Sequence, residues 1–386
     1  MNIKSLLLGS AAALVAVSGA RAADAVTVAE PEPAEYVKIC DVYGAGYFYI
    51  PGTETCLRIG GYIRYDASGG DIGSFDGART SDVVSGKDQG TWLKNTRFTL
   101  KTWTGQETEL GTLKTYTEMR MNFGNHNTDS GIDGTGTYGV NAAGNKAFDI
   151  HFAWIQLGGL RVGLDESAFD TFVGYAGNVI QDTLVPYGGF QTNEIQYNFD
   201  AGNGISAVVS LEQGSGTYAG AIGTIDSYVP HVVGGLKWTQ GWGSISGVVA
   251  YDSNYENVAG KVRLDVNVTN ELSLFGMFGY GSNGKLHDVG LERSFYKPWG
   301  GHWAFWAGGT YKFSDKASFN LQVSGDQFKN YGLAANVAYT VVPGLTITPE
   351  VDFLHDGRFG DLDNSNWTGA NKKNSWGGII RFQRDF

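Results

Sequence analysis

Trp376-Gly377-Gly378-Ile379-Ile380-Arg381-Phe382-Gln383-Arg384-Asp385-Phe386 closes the chain, and the preceding sequence has to be read against its alternation. Counting back from the last residue, Phe386, Phe382, Ile380 and Trp376 share one parity, while Asp385, Gln383 and Arg381 share the other. A period of two places one set on each face of a β-strand. One face is apolar, the other is charged, and the strand ends in a bare aromatic. Such a strand suits the wall of a transmembrane β-barrel, and equally the edge of a soluble barrel. Arg384 falls on the apolar side, but near a bilayer interface an outward arginine costs only about 0–1 kcal/mol.

The other end of the chain bears on the compartment. Lys4, the apolar run Ser5–Val17 and the small-residue site Ala20-Arg21-Ala22 predict a secretory leader cleaved after Ala22. The run is shorter than the roughly 20 residues that a spanning helix needs. No second long apolar segment follows, so a membrane form of this chain is a barrel, because only helices and closed barrels satisfy every backbone polar group in lipid. Glycine supplies 57 of 386 residues, about twice its usual share of roughly 7%. Aromatics make up 13% and prolines number 8. Glycine-rich turns and aromatic girdles are what a large antiparallel barrel uses.

The leader contains Lys4 and Arg21 but no acid, so its removal takes the net charge from −11 to −13. That acidity argues against nucleic acid as a partner. Cys40 and Cys56 are the two cysteines. In an oxidising compartment they are expected to pair, closing a loop of about 15 residues worth roughly 3 kcal/mol in the chain-entropy model. Two buried thiols are the alternative.

Taken in order, residues 23–36 form a charged, proline-containing spacer, and the aromatic strap Tyr43–Tyr49 lies between the cysteines. Alternation then starts. Leu57, Ile59, Gly61, Ile63 and Tyr65 oppose Arg58, Tyr62, Arg64 and Asp66. Phe98 and Leu100 oppose Arg97 and Lys101, and Leu113–Phe123 sets Met119, Met121 and Phe123 against Lys114, Tyr116, Glu118 and Arg120. The same rule holds at Glu194–Asp200, Val262–Asn267, Ala317–Ser324 and Leu345–Phe353, where Pro349 is an anomaly because it cannot donate to a ladder. Short turns such as Gly158-Gly159, Gln240–Gly243 and Pro343-Gly344 alternate with long connections such as Glu166–Phe190 and Asp356–Asn374. This predicts an all-β fold, a sixteen-stranded antiparallel transmembrane barrel with both ends on the short-turn side. The division is a signal peptide at 1–22, a periplasmic spacer and disulfide-pinned strap at 23–55, and the barrel at 56–386.

Cys56-Leu57-Arg58-Ile59-Gly60-Gly61-Tyr62-Ile63-Arg64-Tyr65-Asp66 resembles the trimeric general porins of the Rhizobiales, the Brucella type. So do Glu107–Leu113, Pro230–Lys237, Val248–Ser253 and Gly377–Phe386. The resemblance covers essentially the whole mature chain. It implies an outer-membrane homotrimer with the third outer loop folded into the lumen. Its expected partners are outer-membrane lipid, lipopolysaccharide and the barrel-assembly machinery, with Phe386 as the assembly signal. The enterobacterial third-loop motif Pro-Glu-Phe-Gly is absent, so residues are not carried over from those porins.

A channel of this kind filters solutes by width and field, and needs no catalytic centre and no cofactor. Glu166–Phe190 is the third long loop; its Asp170 and Asp182, with Asp165 and Glu166 before it, are expected to face water. Arg58, Arg64, Arg97, Lys101, Lys114, Arg120 and Arg161 belong to the first five strands, and so to one wall. Strands six to fifteen contribute mainly acids, Glu194, Asp200, Glu212, Asp252, Asp265, Glu350 and Asp352. The expected constriction therefore opposes an acidic loop to Arg58, Arg64, Arg97, Lys101, Arg120 and Arg161, giving weak cation preference for small hydrophilic solutes. Two other functions remain open. One is a sugar-specific porin with an aromatic track through Tyr62, Tyr116, Trp303 and Trp306; the other is a non-conducting adhesin. The acid-rich run Asp361–Asn366 lacks the glycine and distal glutamate of a calcium loop and reads as a solvated tip.

Overall fold

The computed structural model describes residues 38–71, 79–125, 143–218, 221–284, 294–361, 365, 367 and 370–386. The expected leader and spacer lie outside the described residues, as do 362–364 and 366 of the acid-rich tip.

The residues that alternate form sixteen long strands. They are β1 (Cys56–Gly70), β2 (Leu93–Thr108), β3 (Gly111–Asn125), β4 (Asp149–Leu157), β5 (Leu160–Glu166), β6 (Gln191–Asp200), β7 (Ile205–Gly214) and β8 (His231–Gln240), then β9 (Gly243–Asp252), β10 (Asn257–Asn267), β11 (Leu272–Gly281), β12 (Trp303–Ser314), β13 (Ala317–Asp326), β14 (Tyr331–Val342), β15 (Leu345–His355) and β16 (Asn374–Asp385). Each pairs antiparallel with the next, and β16 pairs with β1 from Tyr62↔Asp385 to Gly70↔Gly377, which closes the barrel and removes its edges. At the seam Gly61 and Phe386 exchange both backbone hydrogen bonds at 3.0 Å. A Cβ on Gly61 would lie 2.0 Å from the Thr99 carbonyl oxygen, so only glycine fits there.

The two faces differ as the alternation requires. Ile59, Ile63, Val262, Leu264, Trp376 and Phe386 are exposed on the outer face, whereas Tyr62, Gln196, Lys261, Gln322 and Asn336 are buried on the inner one. Exposed aromatics collect at the strand ends: Trp238, Tyr311, Tyr339 and Phe382 by the short turns, Tyr251, Tyr280, Tyr331 and Trp376 by the opposite rim. These are the interfacial girdles of a membrane barrel.

Pro349 is accommodated by a gap in one ladder. Between β14 and β15 the pairing passes from Asn336↔Glu350 to Tyr339↔Ile347, skipping Thr348 and Pro349. Pro349 is paired with Ile380 of β16 on its other side. A register shift between Glu118 and Met119 bulges β4, and an extra residue in a strand brings neighbours to one face. That is how consecutive His151 and Phe152 touch each other at 4.4 Å between centroids inside the barrel.

Two outer connections are shorter than the alternation of lengths suggests. Residues 253–256 and 327–330 are four-residue turns. Asp252 accepts from the Asn254 and Tyr255 amides and Asp326 from the Asn330 amide, while Glu256 and Lys329 take positive φ. Cys40 and Cys56 form the expected disulfide, with Cα atoms 6.0 Å apart. The strap so pinned packs on the β2–β3 turn, where the Tyr43 hydroxyl donates to Glu107 at 2.9 Å.

Candidate solute passage

Residues 167–190, between β5 and β6, are tied to the inner face of the barrel. Ser167 caps the short helix α1 (Ala168–Thr171) by accepting from the Phe169 amide at 3.1 Å. Glu212 of β7 receives the Ser167 hydroxyl at 2.6 Å, the Ala168 amide at 2.9 Å and the Tyr296 hydroxyl at 2.8 Å. Lys261 of β10 pairs with Asp170 at 2.6 Å, both side chains fully buried, and donates to the Tyr187 carbonyl at 3.0 Å. Farther round, Trp306 donates to the Val185 carbonyl at 2.7 Å and Gln322 to the Asp182 carbonyl at 2.7 Å. Glu350 of β15 accepts from the Ile180 and Gln181 amides at 2.6 and 2.8 Å. Backbone groups that a buried loop would leave unpaired are thus met by inward side chains of the wall.

A second inward element completes this half. Phe295, Tyr296 and Trp299, just before β12, are fully buried, and the Phe295 amide donates to Asp252 at 2.6 Å. Trp299 packs on Trp306 at 5.6 Å and Tyr187 on Trp306 at 6.1 Å between centroids. One side of the lumen is therefore a packed aromatic core against β7–β12.

A cavity of ≈ 610 Å³ is left between that mass and β2–β5. Lys101, Arg120, Arg161, Asp165, Glu166 and Asp182 all line it, so six of the ten proposed constriction residues come together. Arg120 Nε lies 2.7 Å and Lys101 Nζ 3.2 Å from Glu118, and Arg161 Nη1 lies 2.6 Å from Asp165. On the segment, burial pushes the Asp182 carboxyl up to about 6, against the pull of a hydrogen bond from the Tyr187 hydroxyl at 2.6 Å. Glu166 receives the Tyr175 hydroxyl and meets His151 at 3.1 Å.

The other four lie elsewhere. Arg58 stacks on Trp103 at 4.6 Å, Arg64 on Tyr62 at 4.6 Å while donating to Gln383, and Arg97 donates to Asn122 at 2.9 Å. They share the basic wall but do not line the cavity. Asp170 corrects the expectation that it faces water, since it is wholly buried against Lys261. Burial pushes its carboxyl up to about 7, and the Lys261 charge opposes that rise.

The supposed sorting of charge also needs correction. Glu118 is an acid at the centre of the basic wall, and Lys261 and Arg263 are bases in the acidic half. Glu212 and Glu350 are occupied in holding the loops. Their parity was legible, but what they hold was not, because the partners lie 44 to 170 residues away. The expected aromatic track is broken as well. Trp306 is fully buried under Val185, and Trp303 sits on the outer face beside Phe278 at 6.5 Å.

A closed sixteen-strand barrel with an apolar belt, two aromatic girdles and a charged interior is a multi-pass outer-membrane channel fold. The sequence matches the family described as "Porin subfamily" over residues 24–379, and the chain belongs to it. It is 52% identical over 390 residues to "Porin Omp2b" of Brucella suis biovar 1 (strain 1330) and of Brucella abortus (strain 2308), covering 100% of both chains in each case. In structure it is similar to the outer membrane channel DcaP of Acinetobacter baumannii, with a TM-score of 0.61 at 15% identity over 88% of this chain and 99% of that one. The anion-selective porin from Comamonas acidovorans gives a TM-score of 0.52 at 12% identity over 86% of this chain and 100% of that one.

Proposed function

We propose that this porin conducts small hydrophilic solutes and ions passively, through a passage that residues 167–190 narrow against β2–β5, with weak preference for cations. The observation that carries this reading is the row of ties from Glu212 to Glu350, which fixes the segment across the interior and leaves the lined cavity beside it. Arg58, Arg64 and Arg97 extend the basic wall beyond the narrow section. Cation preference follows from the pairing pattern. Lys101 and Arg120 share Glu118, and Arg161 is matched by Asp165, whereas among the described residues no Lys or Arg pairs with Glu166 or Asp182, which meet hydroxyl and imidazole side chains. Purified protein in planar bilayers is expected to open stepwise with ohmic conductance. A barrel that inserts without conducting would replace this reading with the adhesin one.

A homotrimer is the proposed assembly, with the small residues Ala317 and Ala335 on the outer face letting neighbouring walls approach, while Gly61 is buried beside the Phe386 ring. Unheated detergent gels are expected to show a band near three times the 41.5 kDa chain less its leader. A monomer alone in native mass spectrometry would contradict it. Phe386, outward at the seam and stacked on Phe98 at 6.4 Å, is proposed as the signal read by the assembly machinery, with lipid and lipopolysaccharide around the belt.

A further inference from the structure

Inward positions of β2, β3 and β4 carry aromatic rings where a wet lumen wall has no packing need for them. Trp103 faces Tyr116 across the ladder, and Tyr116 faces Trp154. The ring centroids are 5.4 Å apart for Trp103–Tyr116, 5.7 Å for Tyr116–Trp154 and 5.5 Å for Tyr116–Phe152. All four are only partly covered, so the row is a surface and not a core. Tyr116, Phe152 and Trp154 line the narrow cavity itself, and Arg161 lies flat over Trp154 with Cζ 4.1 Å from the ring centre. The bulge at His151 is what turns Phe152 into this space.

We propose that this corner is a saturable subsite for a pyranose ring. The proposal deepens the porin reading and rests on it. A pyranose has an apolar face of axial C–H bonds and a rim of hydroxyls, and the corner offers both complements. The partly exposed rings of Tyr116 and Phe152 take the C–H face, with the favourable geometry of an offset stack. The rim meets the Arg120 and Arg161 guanidiniums and the Glu166 carboxylate on the wall and the Asp182 carboxylate on the segment, groups whose donors and acceptors match vicinal hydroxyls. A volume of ≈ 610 Å³ lies within the range of small-molecule sites, roughly 300–1,000 Å³, and leaves room for water beside the ring. This subsite differs from the track expected through Trp303 and Trp306, neither of which reaches the cavity.

The test compares D-glucose with sorbitol, its acyclic reduced form, which has similar size and hydroxyl content but no fixed apolar face. Proteoliposome flux of glucose is expected to saturate with concentration, while sorbitol flux stays linear. Glucose is also expected to dampen the ionic current of single channels more than sorbitol at equal concentration. In the variant Y116L/F152L, apolar volume is largely kept and the two flat faces are lost. Half-saturation by glucose is then expected to rise about tenfold, the loss of two ring contacts. Linear, equal fluxes of glucose and sorbitol in a conducting wild-type channel would overturn the subsite and leave the porin reading intact. Absence of both fluxes and of current would overturn the porin reading itself. Saturation that is unchanged in the variant would also refute the aromatic corner.

Discussion

Replacing Arg120 and Arg161 by serine is expected to widen the passage and strengthen its cation preference together. Each cation neutralises an acid on the same wall, Glu118 and Asp165, so the substitution removes two positive charges, frees Asp165 and leaves Glu118 with Lys101 alone. A unit charge about 7 Å from an ion in water is worth about 0.6 kcal/mol, a factor of about 3 in local concentration. Screening over about 8–10 Å at ordinary salt makes the shift shrink as salt rises. Glu166→Gln with Asp182→Asn should move the preference the other way. The Asp182 carboxyl, held up to about 6, is ionised above that pH and neutral below it. Wild-type cation preference should therefore fall between pH 7 and 5, and less so in Asp182→Asn. Reversal potentials under a salt gradient measure all of this. Identical potentials in wild type and both variants would show that these residues do not line the passage.

Lys261→Met should have the largest effect on the segment itself. It leaves Asp170 buried without its ammonium partner and removes the donor to the Tyr187 carbonyl. Breaking one side of a buried pair costs about 3–5 kcal/mol, and here the cost falls on a tethered loop, not on the sheet. The expected result is a barrel of normal heat-modifiable mobility whose conductance is larger and noisier. Lys261 is the charge that holds the buried Asp170 carboxyl down at about 7. Without it Asp170 escapes the penalty by keeping a proton to higher pH, so the noise should grow only as pH rises above 7. The double variant D170N/K261M removes both charges and should recover much of the quiet behaviour, as neutral replacements of buried pairs often do. A wild-type current in Lys261→Met that stays quiet at every pH from 6 to 10 would show that this pair does not hold the segment.

What the sequence disclosed follows from the range of the physics involved. Strands are legible because membrane and water impose a period of two on each, and closure is legible because the last strand, Trp376–Phe386, repeats the faces of the first. Arg381 meets Asp66 at 2.8 Å across the seam; alternation puts both on the inner face, whereas the register that pairs them is set by how the barrel closes. The interior was less legible. Asp170 sits in an acidic, aromatic loop, and nothing local distinguishes an acid facing water from one buried on Lys261, 91 residues away. Trp306 has the parity of a lumen residue, yet the lumen at that point is filled by Tyr187 and Trp299. The bulge that admits Phe152 leaves no mark in composition. Parity assigns a face, but occupancy of that face depends on which loop covers it.

The proposed passage runs between residues 167–190 and β2–β5, with Asp182 on its border. Cys40 and Cys56 are joined, so a cysteine placed at 182 would be the one reactive thiol in the chain. The measurement is single-channel current through Asp182→Cys before and after a charged, membrane-impermeant methanethiosulfonate. A stepwise fall in current is predicted, with no change in Val262→Cys, whose side chain lies on the outer face. Modification of Asp182→Cys, verified by mass, with the current left unaltered would contradict the account.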